Sequence, residues 1–236
     1  MTKTSSKQKT RSATNEIISI DDNLLSPVTQ VTNSISSDSK VTHSTSPSTQ
    51  VSHPISPVWN SESRILILGT MPSPKSREAG FYYMHPQNRF WDVISQVFGD
   101  KLAFTNNALK STTKLNTQNI ITPSGIPFAI TERRDFLLRH HIAMWDVLAS
   151  CQIEGAADSS IKNAIPNDFT QIFEGSNIHH VFCTGKTAFA LWKKHCAALY
   201  ENRFNLTVHC LPSTSPANAQ WSKERIIEEY KIIAKI

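Results

Sequence analysis

The segment Ala79–Trp91 (AGFYYMHPQNRFW) concentrates side chains that can bind and orient a polar ligand. Three consecutive aromatic residues, Phe81–Tyr83, precede His85, Asn88 and Arg89. An amide side chain both donates and accepts hydrogen bonds, and an aromatic ring offers a flat face for stacking. The segment also has a purely structural interpretation, in which Asn88 caps the following helix and the rings fill the core.

Two loops that follow predicted strands add further polar groups. The apolar run Ile65–Leu68 ends in Gly69–Ser73 (GTMPS), where Gly and Pro set a tight turn whose backbone N–H groups can face a ligand. The predicted last strand, Thr207–Leu211, leads into a loop rich in Pro, Ser and Thr that is suited to holding DNA phosphates. Either loop alone is also compatible with an ordinary turn.

The elements between these segments alternate between strand and helix patterns. Continuous apolar runs predict strands at 65–68, 142–147, 178–183 and 207–211, and helical spacing predicts helices at 89–98, 131–140, 186–200 and from 222 onward. Alternating strands and helices indicate an α/β fold, here a three-layer α/β/α sandwich with a central, mainly parallel four-stranded sheet. In such sheets, ligands bind at the carboxyl ends of the strands.

Two polar segments are predicted to lie outside this core. Residues 1–60 contain a degenerate ten-residue repeat in which Ser26, Ser36, Ser46 and Ser56 recur, and one apolar residue per repeat cannot offset the chain entropy of folding. We therefore predict a disordered tail over 1–60 and a globular domain over 61–236. Residues 102–125, rich in Asn and Thr, are predicted to form a surface insertion.

The three polar segments, in this order, resemble the uracil-DNA glycosylase superfamily. The run AGFYYMHPQNRFW together with LPSTSPANA (Leu211–Ala219) is similar to the DNA-deoxyinosine glycosylase branch, as is the stretch Ile142–Phe169. The resemblance covers roughly residues 64–100 and 127–236. It implies a DNA-repair enzyme that hydrolyses the N-glycosidic bond of a deaminated base, with hypoxanthine in deoxyinosine as the expected target.

The resemblance also implies roles for individual residues. Classical uracil enzymes carry an Asp where this chain has Met71, so the resemblance assigns catalysis to Asn88, which would orient the attacking water. It implies contacts to the base by Gly69, Thr70, Met71, Pro72, Tyr83 and His85, and contacts to DNA by Ser73, Lys75, Arg89, Pro212, Ser213, Thr214 and Ser215.

Other features bound the possible cofactors and partners. The formal net charge of +5 is carried beyond residue 63, which suits a polyanionic partner such as DNA. The spacing of the four cysteines is not that of a metal site, and no Gly-rich phosphate loop occurs, so we expect neither a metal nor a cofactor. With no apolar run that could span a bilayer or direct secretion, we expect an intracellular protein that is cytoplasmic or nuclear, with an organellar location left open. We also expect a monomer.

Three other functions stay open at this point. The first is excision of uracil or a mismatched pyrimidine by the same kind of enzyme. The second is a catalytically inactive nucleic-acid-binding module, against which the presence of Asn88 beside the aromatic residues speaks. The third, an unrelated α/β hydrolase, would need a GxSxG turn, and the sequence has none.

Overall fold

The computed structural model describes residues 49–103, 127–155 and 157–236, and its centre is a parallel sheet of four strands. The strands of this sheet are β2 (Ile65–Gly69), β3 (Ile142–Asp146), β6 (His180–Thr184) and β7 (Thr207–Leu211). The strand order is β3-β2-β6-β7, and every neighbouring pair is parallel. All four coincide closely with the strands predicted from continuous apolar runs.

Helices cover both faces of this sheet. They are α1 (Pro74–Ala79), α2 (Phe90–Phe98), α3 (Phe128–Arg139), α4 (Thr170–Glu174), α5 (Lys186–His195), α6 (Ala197–Tyr200) and α7 (Lys223–Tyr230), with short 3-10 turns at Asp158–Ser160 and Ile233–Lys235. The helix predicted over 186–200 is interrupted at Cys196, and the two parts are α5 and α6. Gly99 ends α2 in the left-handed conformation, as a C-terminal glycine is expected to do.

Alternate residues of each strand point into two separate cores, because successive side chains of a strand face opposite sides of the sheet. Ile65 and Ile67 pack with aromatic and apolar residues of α2, α3 and α7. Leu66 and Leu68 pack with residues of α4, α5 and α6 on the other side. The three-layer α/β/α architecture predicted from the sequence is therefore confirmed.

A second, antiparallel sheet was not predicted. It consists of β1 (Thr49–Ser52), β4 (Leu148–Ile153) and β5 (Lys162–Pro166) in the order β1-β4-β5. Strand β1 pairs with β4 in a register that places Thr49 opposite Ile153. β1 has one buried residue, Val51, so its own sequence carries almost no strand signal, and pairing with a distant segment decides its conformation.

The predicted domain boundary at residue 60 is wrong, because residues 49–60 belong to the folded unit. Val51, Ile55 and Val58 are buried, and Val58 exchanges two backbone hydrogen bonds with Met144 of β3 (3.0 and 2.8 Å). The rest of the predicted tail, 1–48, lies outside the described residues. So does most of the predicted insertion, although Leu102 at its start is buried in the core.

Within the described ranges, no helix has the length and apolar character needed to span a bilayer. The carboxyl ends of the parallel strands lead directly into the polar loops singled out from the sequence, and this edge of the sheet holds the site.

Candidate active site

A cleft of about 900 Å³ opens at the carboxyl ends of the parallel strands. Its size falls within the range of small-molecule sites in proteins. The turn after β2, the loop before α2 and the loop after β7 all line it, so three segments that are far apart in sequence meet there. Of the fourteen residues that the sequence analysis predicted for the site, all but Lys75 and Arg89 line this cleft.

The turn after β2 is fixed from two directions. The carbonyl oxygens of Gly69 and Thr70 accept hydrogen bonds from the backbone N–H groups of Val147 and Leu148 (2.9 and 3.1 Å). A Cβ at position 69 would lie only 2.2 Å from Oδ1 of Asp146, so no side chain fits there. The glycine is therefore required by the close approach of a carboxylate that itself lines the cleft.

A second carboxylate, Asp158, is attached to the same turn. The Thr70 hydroxyl donates a hydrogen bond of 2.9 Å to Asp158 Oδ2. The pKa of Asp158 is raised, chiefly because the cleft withdraws the carboxylate from bulk water and further because the charge of Asp146 repels it, while the Thr70 bond acts in the opposite direction. Asp146 and Asp158 thus line the same side of the cleft, which makes that side unfavourable for additional negative charge.

Tyr83 presents its ring to the cleft from a strained backbone position. Its φ is 55°, in the left-handed region that non-glycine residues seldom adopt. The ring stacks on Phe90 with a centroid separation of 4.1 Å and an interplanar angle of 13°, and its hydroxyl lies 2.8 Å from Thr184 Oγ1. Burial and, secondarily, the nearby Asp146 hold the pKa of Tyr83 well above its ordinary value, so the phenol stays neutral.

Asn88 is anchored through its side-chain oxygen. Oδ1 accepts a hydrogen bond from the backbone N–H of Phe90, at the start of α2, and another from the Thr214 hydroxyl, both of 2.9 Å. The N-cap of this helix is Arg89, which makes no side-chain capping bond, so Asn88 is not the N-cap. Its Oδ1 instead closes a turn onto the first helical residue, two positions on. The second bond ties Asn88 to the loop after β7, and the two together fix the position of the amide at the cleft.

Arg89 holds the loop after β7 in place. Its guanidinium donates to the carbonyl oxygens of Thr214, Ser215, Asn218 and Trp221, and its backbone N–H bonds to Thr214 as well. These bonds occupy the guanidinium with protein carbonyls, so the structure supports a positioning role for Arg89; its predicted contact to DNA stays a prediction. Lys75, on the surface, pairs with Glu78 at 2.7 Å.

Asp146 closes the cleft between β2 and β3. It is the last residue of β3 and the register partner of Gly69. Its Oδ2 lies 2.9 Å from Nε2 of His53, and the two side chains are only 5% and 2% exposed. A buried carboxylate needs such a partner, because an unpaired charge inside a protein is strongly disfavoured.

Comparison with known proteins agrees with this geometry. A family model described as the Uracil DNA glycosylase superfamily matches residues 57–235, most of the chain. The chain belongs to this superfamily. It is accordingly a DNA glycosylase, a hydrolase that acts on DNA.

Individual relatives fall within the same group. The chain is 28% identical over 169 residues to a protein of Methanosarcina acetivorans and 29% identical over 169 residues to one of Methanosarcina barkeri, both named hypoxanthine DNA glycosylase. Each match covers 71% of this chain and 89% of the relative. A solution NMR structure of a candidate uracil DNA glycosylase from Methanosarcina acetivorans has the same fold, with a TM-score of 0.55 and 22% identity over 78% of this chain and 98% of that one.

The glycosylase cleft also contains residues that the sequence analysis did not assign to the site. Among them are Asp146, Asp158, Thr184, Lys186 and Asn218. Asp146 had a signal that could have been used, since it is a charged residue placed directly after the apolar run of β3. His53 had none, because it occupies a position in the ten-residue repeat that His43 occupies one repeat earlier.

Proposed function

We propose that this glycosylase releases hypoxanthine from deoxyinosine in DNA. The observation that carries the proposal is the convergence of Tyr83, Asn88 and Asp146 on one cleft at the carboxyl edge of the sheet. These residues supply a stacking surface, an amide and a hydrogen-bond acceptor. The names of the two Methanosarcina relatives support hypoxanthine as the base.

Capture of the base is assigned to Tyr83. A base must leave the duplex stack before its glycosidic bond can be reached, and extrusion costs a few kcal/mol. Stacking on an aromatic ring recovers about 1–3 kcal/mol per base. Because Phe90 stacks against Tyr83, the ring is held in a fixed plane and loses little conformational freedom when a base binds.

Recognition of the base is assigned to Asp146. As a carboxylate it offers only acceptors. Hypoxanthine carries an N1–H where adenine has a lone pair, so Asp146 would accept a hydrogen bond from the deaminated base and repel its parent. Guanine also carries an N1–H, and its stable pairing with cytosine would keep it in the duplex, since extrusion is easiest for a mispaired or damaged base.

Bond cleavage is assigned to Asn88. Breaking the glycosidic bond builds positive charge on the sugar, and a water that attacks this carbon must be held in position. Asn is a poor base, and Met71 has no group that could take a proton. Asn88 would therefore orient the water, and the two hydrogen bonds of its Oδ1 would keep the amide rigid while it does so. The oxygen of the water bonds to C1′ of the sugar as the C1′–N9 bond breaks. Hypoxanthine leaves with the electron pair of that bond, and the proton that the water loses neutralises the departing base.

The test is a cleavage assay on labelled duplexes that carry a single inosine, xanthine, uracil or mismatched base, followed by alkali to break abasic sites. We expect cleavage at inosine after alkali only, with no requirement for metal or cofactor. Robust release of uracil without release of hypoxanthine would contradict the proposed substrate and place the chain in another branch. No release from any duplex would favour a nucleic-acid-binding module without catalytic activity.

A further inference from the structure

His53 contacts Asp146, a residue that lines the cleft, from a segment that precedes the family-matched region. The match begins at residue 57, and His53 follows strand β1 of the antiparallel sheet. Its Nε2 nevertheless lies 2.9 Å from Asp146 Oδ2, across 93 positions of the chain. The ring packs against Tyr82 and Trp145, with centroid separations of 6.1 and 6.2 Å.

The hydrogen bonds of the ring define which nitrogen carries the proton. Nδ1 accepts from the backbone N–H of Ile55 at 3.2 Å, so it must bear a lone pair. The proton of the neutral ring is then on Nε2, and this N–H donates to Asp146. The aromatic neighbours and the Ile55 bond together prevent the ring from turning.

The consequence for Asp146 is a fixed carboxylate plane. Oδ2 is held by His53. Oδ1 lies against Gly69, 2.2 Å from the point that a Cβ at this position would occupy. The Tyr83 hydroxyl lies 3.1 Å from the same point. One oxygen is thus anchored in the protein and the other is directed to the turn that lines the cleft. Without His53, the carboxylate would lose its buried donor and be able to rotate.

We propose that His53 is a positioning residue that orients Asp146 to accept the N–H of the extruded base, so that the segment around β1 takes part in base selection. This inference rests on the proposed function. It predicts that loss of the Nε2 donor lowers the preference for bases that carry the N–H, beyond any general loss of activity.

A matched pair of substitutions isolates the donor. In His53→Gln the side-chain NH₂ can reach the position of Nε2, whereas in His53→Asn it reaches only the position of Nδ1. Both variants replace a ring by an amide and lose the same aromatic packing, so their difference reports the hydrogen bond to Asp146. His179→Gln, at an exposed histidine, serves as the surface control.

The measurement is kcat/KM for duplexes that carry inosine or 1-methylinosine, which lacks the N1–H. A second pair of duplexes carries uracil or 3-methyluracil, which lacks the N3–H. For the base that the wild type releases, we expect His53→Asn to lower the ratio of unmethylated to methylated substrate about tenfold or more, as befits loss of one hydrogen bond to a charged group. His53→Gln should keep the ratio within about threefold of the wild type. Circular dichroism establishes that each variant is folded at the assay temperature.

The outcomes separate the two proposals. If each variant lowers kcat/KM by the same factor for the unmethylated and the methylated substrate, His53 has only a structural role. This inference is then overturned, while the proposed function stands. If His53→Asn does not fold, His53→Leu, which also lacks the donor, takes its place beside His53→Gln. A ratio about tenfold lower in His53→Leu than in His53→Gln supports the inference, and equal ratios in the two variants overturn it. A wild type that releases neither base contradicts the proposed function and, with it, the role of His53.

Discussion

Asn88 and Asp146 both line the cleft, but the residues that hold them come from different parts of the chain. Asn88 is anchored by the N–H of Phe90, two residues away, and by Thr214, 126 residues away, and both lie within the family-matched region. Asp146 is anchored by His53, 93 residues away and outside that region. Both anchors of Asn88 therefore belong to the family-matched region. The contact that anchors Asp146 forms only once β1 has joined the antiparallel sheet, because His53 follows that strand. If the two residues have separate roles, changes at Asn88 should affect the chemical step and changes around Asp146 should affect the choice of base.

The largest effect is expected at Asn88. Asn88→Ala should slow the chemical step by about 10²-fold or more, by analogy with removal of one positioned polar group from other active sites. It should also cost about 1 kcal/mol of stability, because the N–H of Phe90 loses its acceptor. Binding to lesion DNA should change little, since phosphate contacts supply most of the affinity.

The matched control is Asn88→Ser, because a serine hydroxyl can still accept from the start of the helix. Thermal melts and single-turnover kinetics on both variants separate the roles. If Asn88→Ser restores the melting temperature but not the rate, the amide is needed for chemistry. Normal cleavage by an Asn88→Ala variant that melts early would show that Asn88 only stabilises the start of the helix. Asn88 would then have no part in the chemical step.

The second effect concerns the segment that carries His53. Deletion of residues 1–60 removes buried Val51, Ile55 and Val58, and each fully buried side chain of this kind contributes about 1.5–3 kcal/mol. We expect a loss of several kcal/mol, seen as a much lower Tm and reduced cleavage. Deletion of residues 1–44 should leave the Tm and the turnover on short duplexes unchanged. Equal melting of the two truncated proteins would show that the segment from Thr49 contributes nothing to the fold.

This contrast also shows what the sequence could reveal. The four parallel strands were predictable because each is a continuous apolar run buried on both faces. The antiparallel sheet was not predictable, because β1 has one buried residue and the buried and exposed residues of β4 do not alternate regularly. Which of their side chains are buried depends on pairing between segments about 100 positions apart. Asn88 and Tyr83, which line the cleft, could be proposed from the sequence because they belong to a compact motif. Asp146 and His53 could not, because no local pattern connects the two partners of this pair.

A third prediction distinguishes a loop-holding Arg89 from a DNA-contacting one. Arg89→Lys loses the planar fork that serves several carbonyl oxygens at once, so the loop after β7 should loosen and affinity for DNA fall about tenfold or less. The dependence of log Kobs on log salt should keep its slope. Lys186→Ala, at an exposed cation of the cleft, is the control and should reduce the slope by about 0.9 if that residue meets a phosphate. Arg89→Gln, which removes the charge, completes the test: an unchanged slope would mean that Arg89 only holds the loop, and a similar reduction would mean that it contacts DNA.

The smallest effect is expected for Tyr83→Phe, which tests whether the Tyr83 hydroxyl contributes to binding of the base. Thr184 Oγ1 donates to the Leu68 carbonyl at 3.1 Å, so the Tyr83 hydroxyl must be the donor in the 2.8 Å contact between Tyr83 and Thr184. Removing it should cost about 0.5–1.5 kcal/mol of stability and leave cleavage nearly unchanged, because the ring still stacks on Phe90. Tyr83→Ala should instead weaken capture of the base by about 1–3 kcal/mol.

A double-mutant cycle with Thr184→Val measures the hydroxyl separately from the ring. If the two single changes destabilise the protein but the double change adds little more, the hydroxyl acts within the protein, as the geometry indicates. A large loss of cleavage in Tyr83→Phe, with a normal melt, would mean that the hydroxyl touches the substrate. Base recognition would then be shared between Tyr83 and Asp146, whose carboxylate lies on the same side of Gly69.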